Sequence, residues 1–196
     1  MKMMIKLLET IKIENKKPFF LEYHNERLNK ARKEIFGLKN EIDLKEHLII
    51  PADKKLYKLR VIYSKEIEKV TLAPYKIVTP KSFRVVKFDG NYNYKYLKRD
   101  EINRLKEENK DVDEIILLKE NKIGDTTIAN IALFLDGKWF TPKNPILEGV
   151  TRKRYLKLGL LRERDLFIQD LKKAKKIALL NAMVDFLVLD KFILKD

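Results

Sequence analysis

Between residues 57 and 88 three β-prone segments follow one another with no helix between them, and this succession constrains the fold more than any other feature. Tyr57-Lys58-Leu59-Arg60-Val61-Ile62-Tyr63 has the period of a strand with one buried face. Residues 70–78 and 82–88 continue the pattern across Pro-containing breaks. Parallel neighbours need a crossover of about a dozen residues or more, usually helical, so these segments are predicted to form an antiparallel sheet.

Ahead of them, residues 5–13 alternate, with β-branched Ile5, Thr10, Ile11 and Ile13. Asn15-Lys16-Lys17-Pro18 reads as a turn, and 19–23 as the returning strand of a hairpin. A helix is predicted over 24–36, with Leu28, Ala31 and Ile35 on one face and Gly37 as its stop. Asp43 can cap a second helix through Leu48, before Pro51.

After the Asp89-Gly90 turn and an Asn/Tyr/Lys-rich stretch at 91–99, a charged helix is predicted over 100–109. The second half then changes character. Glu114-Ile115-Ile116-Leu117-Leu118 is a short apolar run, the mark of a buried strand, and 126–135 is another β-prone run. Asp136-Gly137 turns that run into Lys138-Trp139-Phe140-Thr141. A helix over 150–158 closes at Gly159, Asp170 can cap a further helix through Lys175, and 177–180 and 186–189 read as strands. This change of pattern places a domain boundary near residue 90, giving 1–89 and 90–196.

Composition narrows the chemistry. The chain of 196 residues has no cysteine, which removes disulfides, thiolate nucleophiles and thiolate metal sites together. His24 and His47 alone cannot build a His/Cys zinc centre, so no metal is expected. No run approaches the roughly 20 apolar residues of a membrane span, and the opening Met1–Glu9 stretch is too short and charged for a secretory signal. A cytoplasmic protein is expected. The net charge of +14, from 43 basic and 29 acidic residues, is spread along the chain without a basic arm. It reads as a soluble surface biased toward small anionic substrates rather than as a nucleic-acid footprint.

No Walker or Rossmann glycine loop is present. Leu147-Glu148-Gly149-Val150-Thr151-Arg152 places a glycine and a hydroxyl at a predicted helix start, where free backbone N–H groups can hold a phosphate or can simply cap a helix. Lysine is the remaining versatile reagent, a Schiff-base nucleophile when its surroundings lower its pKa. Lys95, between Tyr94 and Tyr96, has a context for this, although composition alone cannot select it.

Several separated segments together resemble the class IV aminotransferase family in order and spacing. They are Leu8-Glu9-Thr10-Ile11, then His24-Asn25-Glu26-Arg27-Leu28, then Lys95-Tyr96-Leu97-Lys98-Arg99, then the 113–118 strand with the 122–131 loop. Trp139-Phe140-Thr141-Pro142, the Gly149-Val150-Thr151 turn and Leu180-Asn181-Ala182-Met183 complete the set. The resemblance implies an α/β protein of two domains, a small α+β domain and a larger mixed-sheet domain. Members usually carry further residues ahead of the segment matched at Leu8, so an N-terminally trimmed version of the fold is implied.

The resemblance further implies pyridoxal 5'-phosphate as cofactor and a homodimer. Lys95 would be the Schiff-base lysine, and Arg27, Val150 and Thr151 would hold the cofactor phosphate. Asp125 would meet the ring nitrogen, where the family usually has Glu, and Thr10 would assist proton delivery. His24 reads as a helix-start packing or hydrogen-bonding residue, Arg60 and Arg152 as candidate carboxylate counter-ions, and Trp139 and Met183 as core or interface residues. The lysine motif followed by Arg99, the absence of a Tyr five residues after Lys95 (Asp100 stands there) and Asn181-Ala182 resemble the lyase branch. The reaction so implied is cleavage of 4-amino-4-deoxychorismate to 4-aminobenzoate and pyruvate. An aminotransferase of branched-chain or D-amino acids is the alternative within the family, and a non-catalytic anion- or nucleic-acid-binding descendant is the alternative outside it.

Overall fold

The computed structural model describes residues 5–196; the first four residues of the opening stretch lie outside the described residues. The chain divides into two compact units, Met1–Ile77 with Tyr94–Lys98, and Val78–Asn93 with Arg99–Asp196. The division thus falls ahead of residue 90, and a five-residue piece from beyond it belongs to the first unit. Among the described residues no helix is long and apolar enough to cross a membrane.

The first unit is built from β1 (Leu7–Glu14), β2 (Lys17–Pro18), α1 (Leu21–Phe36), a 3-10 turn (Leu44–His47), β3 (Tyr57–Tyr63) and β4 (Ile67–Pro74), with strand order β2-β1-β3-β4. β1 and β3 pair antiparallel from Leu7 opposite Tyr63 to Ile13 opposite Tyr57. The alternation predicted for β1 holds: Leu7, Glu9, Ile11 and Ile13 are buried and the residues between them half-buried. α1 adds Leu28 and Ala31 to a core shared with Leu7, Ile11, Leu59 and Val61.

The returning strand is much shorter than expected. Asn15 and Lys16 both take positive φ, the backbone of a tight hairpin turn, and the ladder ends with Phe19 N donating to Lys12 O at 3.0 Å. Phe20 then turns left-handed at φ 55° as the N-cap residue of α1, so 21–23 are helical rather than extended. Gly37, at φ 70°, ends the helix as predicted, its N–H reaching Lys33 O while Leu38 N reaches Arg32 O. Asp43 does cap the next segment, accepting from Lys45 N at 3.0 Å, but that segment is one 3-10 turn.

The second unit comprises β5 (Ser82–Lys87), α2 (Asp100–Glu108), β6 (Glu114–Lys119), β7 (Lys122–Thr126), β8 (Asn130–Leu135), β9 (Lys138–Pro142), α3 (Val150–Lys157), β10 (Arg162–Arg164), α4 (Ile168–Lys173), β11 (Lys176–Asn181), β12 (Asp185–Leu189) and β13 (Ile193–Lys195). Its sheet runs β10-β9-β8-β7-β6-β5-β13, with β11 on β8 and β12 on β11. Here the antiparallel expectation fails for one strand. β5 leaves the 57–74 meander and lies parallel to β6 and β13, with α2 in the connection to β6 that a parallel pair requires. The 126–135 run is broken at 127–129, and Asp170 sits inside α4, where its carboxylate accepts from Phe167 N at 2.9 Å. Phe83, Ile116, Ile131, Leu133, Ile177 and Leu179 fill the core of this unit.

One charged residue lies on the buried face of β1. Glu9 is wholly buried between Leu7 and Ile11 and receives three bonds from α1: Arg27 Nε at 2.8 Å, Arg27 Nη2 at 2.6 Å, and His24 Nδ1 at 2.6 Å. Burial by itself raises the Glu9 carboxyl, but the Arg27 charge and the bonds from His24 and Arg27 outweigh it and hold the group at about 2. His24 is pushed down by burial, against the pull of Glu9, and the Arg27 and Lys95 charges lower it further. It is therefore neutral at pH 7, with its proton on Nδ1 toward Glu9. Its Nε2 is buried without a hydrogen-bond partner.

Because the folded carboxyl lies below its ordinary 4.5, the stability it contributes is present above that value and is lost as pH falls toward 2. The shift corresponds to about 3 kcal/mol. Glu9→Gln should therefore be less stable than the parent by that order in urea unfolding at neutral pH, with the gap closing as pH approaches 2. A gap that stays constant across this range would refute the assignment.

Candidate active site

Lys95 owes its position to the shortness of β2. That strand covers only Ile13 and Glu14 on one edge of β1, which leaves the Leu7 end open to other chain. Tyr94–Lys98 occupies it: Leu8 N donates to Lys95 O and Leu97 N to Lys6 O, both at 2.9 Å, with Leu7 bridged to Tyr96. The flanking tyrosines meet edge-on with ring centroids 5.9 Å apart, both pack against the core of this unit, and Tyr94 OH donates to Glu34 at 2.9 Å. Tyr94 and Tyr96 thus anchor the segment. Thr10 is two residues along β1 from Leu8, on the half-buried face opposite to that of Glu9, and stands across from Arg60 in the β3 register. Thr10 and Arg60 thus stand on neighbouring strands, with the Lys95 segment along the other edge of β1.

Arg27 is one helical turn after His24, so both reach Glu9 from one face of α1. The two bonds to Glu9 fix the plane of its guanidinium, which remains 16% exposed. An oriented guanidinium is a suitable donor for phosphate or carboxylate.

In the second unit, Gly149 is the N-cap residue of α3 and has no side chain to cap that end. Val150 and Thr151 begin the helix, both buried. Leading N–H groups and a hydroxyl at a helix start suit an anion. Gly149 is needed there for space: a Cβ would come within 1.9 Å of Asn130 Oδ1.

Asp125 is bonded within its own unit. Its Oδ1 accepts from Asn130 Nδ2 at 2.7 Å and its Oδ2 from Leu147 N at 2.8 Å. Burial raises its carboxyl to about 6, against the pull of these bonds and of Arg152, so it is ionised at neutral pH. With both oxygens turned to donors of its own unit, Asp125 is an internal anchor. The ring-nitrogen role implied by the family resemblance therefore finds this acid already engaged. Glu114, also buried, is spent in the same way: its Oε1 accepts from Thr127 Oγ1 at 2.7 Å and from the Thr127 and Ile115 N–H groups.

Other residues hold the loop between β7 and β8. Arg99 Nη1 donates to Thr127 O at 2.6 Å, and Asn181 Nδ2 to Ile128 O at 3.2 Å. Arg152, expected as a possible counter-ion, is buried and directs Nη2 to Pro142 O at 2.8 Å and Glu163 at 2.6 Å. Its guanidinium is structural. Trp139, half-buried, packs between Phe134 and Phe186 in tilted and edge-on contacts at 5.1 Å from each, and Met183 is a buried core residue.

Tested against pyridoxal phosphate, each unit taken by itself holds residues that suit it. In the first unit Lys95 supplies an amine and Arg27 an oriented donor; in the second the Gly149–Thr151 turn supplies donors suited to a phosphate. The sequence reading missed Glu9 and Asn130. Glu9 left a signal, an acid in the apolar register of an alternating strand, answered by His24 and Arg27 at helical spacing. Asn130 left none.

Comparison with known proteins bears on the family and the fold. The family described as amino-transferase class IV matches residues 58–190. An uncharacterized protein of Haemophilus influenzae is 30% identical over 92% of this chain and 98% of its own length. A crystal structure from Haemophilus somnus, provisionally described as a 4-amino-4-deoxychorismate lyase, is 28% identical with a TM-score of 0.84, covering 91% of this chain and 96% of that one. A hypothetical aminotransferase from Mycobacterium tuberculosis, in its PLP-bound form, shares the fold at 17% identity with a TM-score of 0.77, over 95% of this chain and 81% of its own. The family match and the Haemophilus influenzae relative establish that the chain belongs to the class IV aminotransferases, a family of pyridoxal-phosphate-dependent enzymes.

Proposed function

We propose that this protein is a cytoplasmic pyridoxal-phosphate-dependent lyase that converts 4-amino-4-deoxychorismate to 4-aminobenzoate and pyruvate. The observation that carries the reading is the Haemophilus somnus likeness, which extends over nearly the whole of both chains. The local pattern supports it. Arg99 follows Lys95 by four residues and holds the Thr127 carbonyl, and Asp100, the first residue of α2, stands where aminotransferase members of the family place a tyrosine.

When bound, the cofactor would supply the carbonyl that captures the substrate amine and an electron-withdrawing ring. Lys95 would hold it covalently until the substrate amine takes its place. Lys95 Nζ, then free, would take the proton from the amine-bearing carbon. Departure of pyruvate leaves the carbocycle aromatic, which gives the elimination its driving force. Thr10, on the strand beside the Lys95 segment, is assigned to helping return that proton. Arg27 and the Val150–Thr151 turn are assigned to the cofactor phosphate, and Arg60, opposite Thr10, to a substrate carboxylate. A small dicarboxylate substrate and a second copy of this chain are the partners that go with this reading.

The alternative is a class IV aminotransferase of branched-chain or D-amino acids, favoured only by membership of the family. Incubation of the purified protein with pyridoxal phosphate and 4-amino-4-deoxychorismate separates the two. The lyase releases 4-aminobenzoate and pyruvate in equal amounts without an added keto acid. Turnover that instead requires a keto acid and yields a new amino acid would overturn the lyase reading. Lys95→Ala should reduce either activity by at least about a thousandfold, the scale of losing a group that acts as both nucleophile and base. Full turnover by that variant would show that another lysine does the chemistry.

A further inference from the structure

The Asp125 carboxylate, the Asn130 side chain and the backbone of Leu147 form a closed set of bonds in the second unit. Asn130 Nδ2 donates both to Asp125 Oδ1 at 2.7 Å and to Leu147 O at 2.8 Å, while Leu147 N donates to Asp125 Oδ2 at 2.8 Å. Both polar groups of one peptide residue are thus held from one side. Asp125 also stands opposite Asn130 where β7 pairs with β8, so the lock sits where these strands meet. Two residues beyond Leu147, the Cα of Gly149 lies against Asn130 Oδ1 so closely that no side chain fits between them. Asp125, Asn130, Val150 and Thr151 are all buried.

The position of the first turn of α3 is therefore set from outside the helix. Its N-cap residue, Gly149, has no side chain with which to do this. A helix start with mobile entry would offer its N–H groups in several directions and lose part of its hold on an anion. A helix start fixed at Leu147 and Gly149 offers them in one.

We infer that Asp125 and Asn130 are positioning residues that fix the Gly149–Val150–Thr151 turn for the phosphate of the cofactor. The inference rests on the cofactor reading proposed above. Neither residue touches the phosphate. Asp125 acts through Leu147 and Asn130, and Asn130 through Leu147 and its contact with Gly149.

The test compares two aldehydes that Lys95 can capture equally, pyridoxal phosphate and pyridoxal, whose difference is the phosphate. Dissociation constants for both are measured by absorbance titration on the parent protein, Asp125→Asn and Asn130→Ala. Asp125→Asn keeps the shape but turns an amide donor toward donors; Asn130→Ala removes the contacts to Leu147 and Gly149. Each variant should bind pyridoxal phosphate about tenfold more weakly, the scale of one lost buried hydrogen bond. Pyridoxal affinity should stay within about twofold, which also reports that the variant is folded. Equal weakening of both aldehydes, or no change in either, would overturn the positioning role. A parent protein that binds pyridoxal as tightly as pyridoxal phosphate would overturn the phosphate site itself, and this inference with it.

Discussion

Two backbone hydrogen bonds, Leu8 N to Lys95 O and Leu97 N to Lys6 O, carry the functional reading of this fold. Unpaired N–H and C=O groups on a strand edge are costly to bury and will take any chain that offers a ladder. β2 is too short to cover the first half of β1, so that edge is open, and Tyr94–Lys98 fills it. Tyr94 and Tyr96 fasten the segment to the core of the first unit. A lysine that would otherwise resemble the many others of a Lys-rich surface is thereby held on a defined strand edge, beside the strand that carries Thr10.

The buried carboxylates show how the same chemistry serves different ends. Glu9 lies in an apolar register and is ionised because Arg27 and His24 outweigh the cost of its burial. In return it orients Arg27. Asp125 has no cation bonded to it, so its carboxyl rises to about 6, yet two N–H donors keep it useful as an anchor. The contrast follows from partners and not from burial, since both groups are almost wholly buried. An ion pair sets the first, and neutral donors set the second.

Much of this was readable in the sequence, and the gaps have physical causes. Local signals served well: alternation gave β1 and β3, the positive-φ glycines at 37 and 159 ended their helices, and Asp136-Gly137 made the β8–β9 hairpin. Errors arose where tertiary pairing overrode local pattern. β5 has the same alternation as its antiparallel neighbours, and nothing within 82–88 tells that its partners are the distant β6 and β13. Phe20 looks extended from composition, but its left-handed backbone starts a helix. Lys95, Arg27 and the Val150–Thr151 turn were found through the resemblance of spaced motifs to a family. The role of Asp125 was hidden because its partners lie 5 and 22 residues away, and spacing cannot show which way a carboxylate turns.

The central claim is that one lysine among 43 basic residues forms the covalent bond to the cofactor. Borohydride reduction of the protein loaded with pyridoxal phosphate makes that bond permanent, and peptide mass mapping then locates it. The account predicts a single phosphopyridoxyl label on the peptide containing Lys95. A label on a different lysine, or none after full loading, would contradict it.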